Sequence, residues 1–172
     1  MKKLLICISF IFMLTGCGVT MLPAQPFLSQ VQLSAYNNNT QTYVLTETNT
    51  QIRQILGEDV LYYKGNATGV KEVWFTVSTG DFKYIMYVVD SYLFWESYAQ
   101  KQGELLDKYL YRVAHALSPN MAYKIVSTDV ETAYLIMYDP DDKLQKPQAV
   151  FTKEAVLALK LDLLQLRDGS LR

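Results

Sequence analysis

The chain has 172 residues and a mass of 19.7 kDa, with 50% apolar and 13% aromatic residues and a formal net charge of −1. That is enough for one domain with its own core and short of what two would need. Near-neutral charge argues against a nucleic-acid binder, and one His with two Cys argues against a metal cluster or a disulfide scaffold.

Lys2 and Lys3 precede a mainly apolar run from Leu4 to Leu14, which ends in Leu14-Thr15-Gly16-Cys17. A run of about eleven apolar residues is too short for a hydrocarbon core that takes roughly 20, so the segment reads as an export signal. Leu14-Thr15-Gly16-Cys17 resembles the lipobox of bacterial lipoproteins. The resemblance implies removal of residues 1–16, a diacylglyceryl group on the Cys17 thiol and acylation of the new amino group, leaving 156 of the 172 residues. In a source with two membranes, Gly18 stands where an Asp would retain a lipoprotein in the inner membrane. The resemblance therefore implies the outer membrane, facing the periplasm.

On that reading Cys7 leaves with the signal and Cys17 carries lipid, so neither a disulfide nor a thiolate nucleophile remains. Loss of Lys2 and Lys3 leaves 14 basic against 17 acidic residues, a formal charge of −3. Residues 17–35, with Pro23 and Pro26 and no apolar periodicity, read as the lipidated Cys and a flexible tether. A single globular domain is expected over 36–172.

Within that domain, Gln41 to Thr48 reads as an edge strand. Asn49 then caps a short helix carrying Ile52, Ile55 and Leu56 and closed by Gly57. Strands are expected from Asp59 to Lys64 and from Val70 to Ser78, the second placing Val73, Phe75 and Val77 on one face and Trp74 and Thr76 on the other. Ser78 to Asp81 reads as a hairpin loop into a central strand, Phe82 to Val89. Tyr92, Trp95, Ala99, Gly103, Leu106, Leu110, Val113 and Leu117 recur every three or four residues, predicting one long helix from about Ser91 to Leu117. A hairpin follows, Tyr123 to Ser127 and Thr132 to Tyr138, and then a polar loop to Gln148. The final segment reads two ways: Leu157, Leu159, Leu161 and Leu163 alternate as in a strand, while Thr152 as N-cap, Glu154 in the first turn, and Arg167 with Gly169 at the end favour a helix, apolar almost all round and so sandwiched or docked. The fold class expected is α+β, one antiparallel sheet of about five or six strands packed by a long helix and a C-terminal helix.

Little of this carries recognisable chemistry. His115 falls opposite the apolar stripe and reads as solvated. Asp139, Asp141 and Asp142 lack the spacing and glycine of a calcium loop. Glu96 lies beside the stripe, as a satisfied acceptor or as a buried acid with a raised pKa. No G-x-S-x-G, H-E-x-x-H or phosphate-binding glycine loop is present, so no catalytic residue, metal or cofactor is expected. All thirteen tyrosines follow the signal, and Trp74 points away from the apolar face of its strand, which marks it as a candidate partner-binding surface. Ile52 to Gly57 followed by a strand with Trp74-Phe75 resembles the helix, Leu-Gly and Trp-bearing strand of small outer-membrane-assembly lipoproteins of the SmpA/OmlA type. That likeness covers about forty residues, without the proline that often follows Leu-Gly.

The function expected is therefore non-enzymatic, a binding or scaffold lipoprotein attached to the membrane through Cys17, with a protein partner in the envelope and no nucleic acid. The alternatives are an inhibitor or immunity lipoprotein that neutralises an envelope-acting toxin or hydrolase, and a hydrolase with an unrecognised site. A polar cleft around Glu96 or His115 favours the hydrolase; an exposed apolar patch with Trp74 or the final helix favours the binding protein.

Overall fold

The computed structural model describes residues 23–37, 39–70, 72–113, 120–143 and 147–171. In chain order they form β1 (Gln25–Pro26), β2 (Ser34–Asn37), β3 (Thr42–Leu45), β4 (Glu47–Ile55), β5 (Glu58–Asn66), β6 (Val73–Ser78), α1 (Phe82–Gln102), β7 (Asp107–Val113), β8 (Met121–Ser127), β9 (Ala133–Tyr138), β10 (Pro147–Phe151) and α2 (Lys153–Asp168). The class is α+β, but the strands make two antiparallel sheets where one was expected. The smaller runs β1-β4-β5-β6 and the larger β3-β2-β10-β9-β8-β7.

The chain changes sheets at Thr46, between β3 and β4. The Thr46 N–H and hydroxyl both donate to the carbonyl of Leu33, which turns the strand while leaving no buried polar atom unmatched there. The neighbouring strand must come very close at this corner. A Cβ on Gly65 would fall 2.2 Å from Thr46 Oγ1, so only glycine fits.

Both helices pack on each other and over the larger sheet, α1 against β7 and β8 and α2 against β9 and β10. The inward rows of the two sheets meet through rings: Tyr63 stacks on Phe75 at 5.6 Å, and Phe75 meets Phe151 edge-on at 5.5 Å. Val73, Phe75 and Val77 face inward as their alternation predicts. The expected hairpin of β8 and β9 forms. So does the final helix, with Thr152 Oγ1 accepting from the Ala155 N–H and Gly169 closing it at φ +69°. That helix is not apolar all round: Leu157 and Leu161 stay exposed, and its buried face includes Asp162.

Four expectations are overturned, each for a physical reason. The short helix at 49–57 is a strand, because Ile55 pairs with Glu58 across a two-residue turn in which Leu56 (φ +53°) and Gly57 (φ +85°) both take the left-handed conformation such hairpins require. The spacing of Ile52, Ile55 and Leu56 only imitates a helix. The strand expected at Phe82–Val89 is the first half of α1. Ile85, Val88, Val89 and Tyr92 are its buried stripe, and the rings of Tyr84 and Tyr87 on the opposite side disguise the period.

The long helix to Leu117 stops at Gly103, whose φ of +71° lets its N–H reach back to the Ala99 carbonyl. Leu106, Leu110 and Val113 continue the apparent stripe only because β7 has an irregularity between Tyr109 and Tyr111 that resets its alternation. Ser118 and Pro119 lie outside the described residues. Finally, the stretch expected to be flexible tether is held from its middle onward. Gln25 and Pro26 pair with β4, the Phe27 carbonyl accepts from the Thr50 hydroxyl, and Val31 and Leu33 are core residues.

Candidate functional site

Trp74 sits on β6, an edge strand of the smaller sheet, and is 45% exposed. Its cross-strand neighbour is Lys64, which forms an ion pair with Glu72 at 2.7 Å. Farther along the same outward face, the Arg53 guanidinium lies 4.8 Å from the Tyr62 ring centroid. The face is not open throughout, since Val60 and Thr76 on it are buried. Trp74 is thus an exposed ring at the open end of a polar, ion-paired surface.

A denser set of rings lies on α1, unforeseen as a surface because half of this helix reads as a strand. Tyr84, Tyr87, Phe94 and Tyr98 follow one another at helical spacing and are all exposed, Phe94 at 61%. The row continues onto β7, the edge strand beside it. Tyr111 packs against Tyr84 at 6.3 Å and Tyr87 at 5.2 Å, while Trp95 meets Phe94 at 5.3 Å and Tyr98 at 5.6 Å. Lys108 places its ammonium 3.4 Å from the centroid of the Trp95 ring, and Lys83 stands 4.7 Å from that of Tyr84. Across the seam to α2, closed by the Lys160–Asp90 ion pair at 2.8 Å, Leu157 and Leu161 are the exposed apolar residues.

Glu96 points the other way from α1 and is buried. Its Oε1 accepts from Lys153 Nζ at 2.8 Å and from Gln100 Nε2 at 2.6 Å, and Gln100 also donates to the Glu131 carbonyl. A cleft of about 310 Å³ opens here, lined among others by Glu131, Thr132, Thr152 and Glu154. Of the two readings open for Glu96, the satisfied acceptor describes this geometry.

Another buried acid, Asp162 on α2, gave no signal in the apolar pattern beyond being a charge in a leucine-rich helix. Its Oδ2 accepts hydroxyl protons from Ser29 and from Tyr63 at 3.0 Å. Burial pushes its pKa up, against the two hydroxyl bonds that favour the carboxylate. The same burial, with the neighbouring carboxylate, pushes the Tyr63 phenol well up, so Tyr63 stays a donor.

Of the remaining candidates, Cys17 and His115 lie outside the described residues. Asp141 pairs with Arg112 at 3.6 Å and takes no part in a cluster with Asp139, whose Oδ1 accepts the Asp141 N–H. Among the described residues no group of three or more His, Cys, Asp or Glu is placed to hold a metal ion. None of the described helices is long and apolar enough to cross a membrane.

No protein-family model, curated protein or solved structure matches the chain. The resemblance to the SmpA/OmlA type also loses its helix, since Ile52 to Ile55 belong to β4.

Proposed function

We propose that this protein is a bacterial lipoprotein, held to the envelope membrane by lipid on Cys17, that works by binding a protein partner rather than by catalysis. The signal Lys2-Lys3 … Leu14-Thr15-Gly16-Cys17 supports the anchor. The observation that carries the binding reading is Trp74: a large ring 45% exposed on an edge strand, where polar residues are the usual defence against unwanted contacts. The Lys64–Glu72 pair beside it supplies the polar rim that partner sites have.

Retrieval of the lipidated protein from its own membranes after cross-linking tests this. The wild-type chain recovers a stable partner, Trp74→Ala recovers about fivefold less, and Cys17→Ser accumulates as uncut precursor without lipid. Failure to recover any partner contradicts the binding reading, and normal processing of Cys17→Ser contradicts the anchor.

The cleft at Glu96 is the observation that speaks for a hydrolase instead. There Glu96 Oε1 accepts from both Lys153 and Gln100, the arrangement of a structural acceptor, and this favours binding over hydrolysis. An immunity role is a special case of binding, and a toxin encoded beside this chain would identify the partner.

A further inference from the structure

We infer that the ring-bearing outer face of the helix pair, centred on Phe94, rests on the surface of an anionic lipid bilayer. The proposal rests on the anchoring reading above but concerns a different surface from Trp74.

The side chains suit an interface between water and lipid. Tyr84, Tyr87 and Tyr98 offer apolar rings with polar tips, Phe94 at the apex is purely apolar, and Leu157 and Leu161 extend the face across α2. This mixture of amphipathic rings and flanking cations is what settles at headgroup depth. The charges point to the sign of the lipid. The mature chain is acidic overall, yet Lys83, Lys101 and Lys108 border the rings and form no ion pair with any carboxylate among the described residues. Their long stems can lie along the rings while the ammonium groups reach lipid phosphates.

Chain length supplies the second argument. Five residues, 18–22, lie between Cys17 and Pro23, a covalent reach of about 20 Å at most, so a lipid on Cys17 keeps some face of the domain close to the headgroups. From Pro23 the chain runs to Ser29, which is bonded to Asp162 of α2, and α2 packs directly on α1. The segment that follows the anchor is therefore tied to the helix pair whose outer side carries the rings. A protein docking here would instead meet rings backed by uncompensated lysines, and is the competing outcome.

The two tryptophans report on the two surfaces. The full-length lipidated protein, reconstituted into vesicles of phosphatidylcholine and phosphatidylglycerol with brominated acyl chains, is compared as Trp74→Phe, which keeps Trp95, and Trp95→Phe, which keeps Trp74. Trp95 emission is expected to fall by about half or more in the brominated vesicles while Trp74 changes little. Phe94→Asp with Tyr87→Asp, both exposed positions, is expected to cut the Trp95 quenching at least twofold with unchanged circular dichroism. Unquenched Trp95, equal quenching of both tryptophans, or cross-linking of position 94 to a protein in native membranes overturns the proposal. The mass of the Cys17 peptide is read on the same sample. An unlipidated Cys17 removes the anchoring reading, whereas lipidated Cys17 with unquenched Trp95 removes this one alone. For unlipidated protein the same quenching, measured on protein that sediments with the vesicles, decides the face.

Discussion

The two helices solve one packing problem in different ways. α2 is held locally as well as by its core face: Thr152 caps its first turn, Glu154 lies at the positive end, Arg167 at the negative end and Gly169 closes it. α1 has no side-chain cap at Asp81 and no acid in its first turn, and depends on the stripe from Ile85 to Ala99 against the sheet. Each also buries one acid. Glu96 of α1 is paired with Lys153, the first residue of α2, whereas among the described residues Asp162 of α2 accepts from the hydroxyls of Ser29 and Tyr63 and pairs with no cation. An acid facing an ammonium and an acid facing hydroxyls lose different things when a partner is removed. Exposed or buried, an acid's role follows from its partners.

Removing the cation is the most damaging way to test that contrast. Lys153→Met leaves Glu96 buried with Gln100 alone and is expected to cost about 2 to 3 kcal/mol. This is below the range for a fully buried pair because the Lys153 side chain is 44% exposed. Denaturant unfolding of Lys153→Met, Glu96→Gln and the double variant checks it: the double variant should recover about half or more of the loss. A Lys153→Met protein as stable as wild type would mean that the pair contributes nothing.

Asp162→Ala is expected to cost about 2 kcal/mol, since two hydroxyls lose their acceptor. Asp162→Asn, which keeps one acceptor oxygen, should cost less than about 1 kcal/mol. The pH dependence has the opposite sign from an ion-paired acid. With its folded pKa raised above 3.8, Asp162 contributes stability that is full below pH 3.8 and is lost as pH rises through the folded value. The stability of wild type minus that of Asp162→Asn should therefore increase as pH falls into that window. A difference that is flat, or that shrinks, would show that hydroxyl bonding outweighs burial at this site.

The smallest effect concerns local capping. Thr152→Ala should lower stability by about 1 kcal/mol and raise amide exchange in the first turn of α2, leaving the first turn of α1 unchanged. Equal changes at both helix starts would show that the two are stabilised alike.

This difference also explains what could be read without a structure. α2 announces itself through caps and charges at both ends, so its limits were legible in spite of the strand-like alternation of Leu157, Leu159, Leu161 and Leu163. The start of α1 carries no such signal, and Tyr84 and Tyr87 on its outer side make a one-sided helix look like a strand covered on both faces. Gly103 ends it in a conformation that the apolar spacing conceals, because β7 continues the same stripe by way of its irregular register. Trp74 was legible from alternation alone, since strand period needs only its immediate neighbours. The ringed face was not, because it joins α1 to β7 and required the helix to be recognised first. Asp162 depends on Ser29, 133 positions away, a contact that no local pattern encodes.

The binding reading and the lipid-facing helix pair share one premise, that the protein is fixed to a membrane at its mature N-terminus. Mass spectrometry of the N-terminal peptide of the protein extracted from its native membranes tests that premise most directly. The account predicts that the mature chain begins at Cys17 and carries a diacylglyceryl group and an N-acyl chain. A chain that begins elsewhere, or an unmodified Cys17, would contradict it.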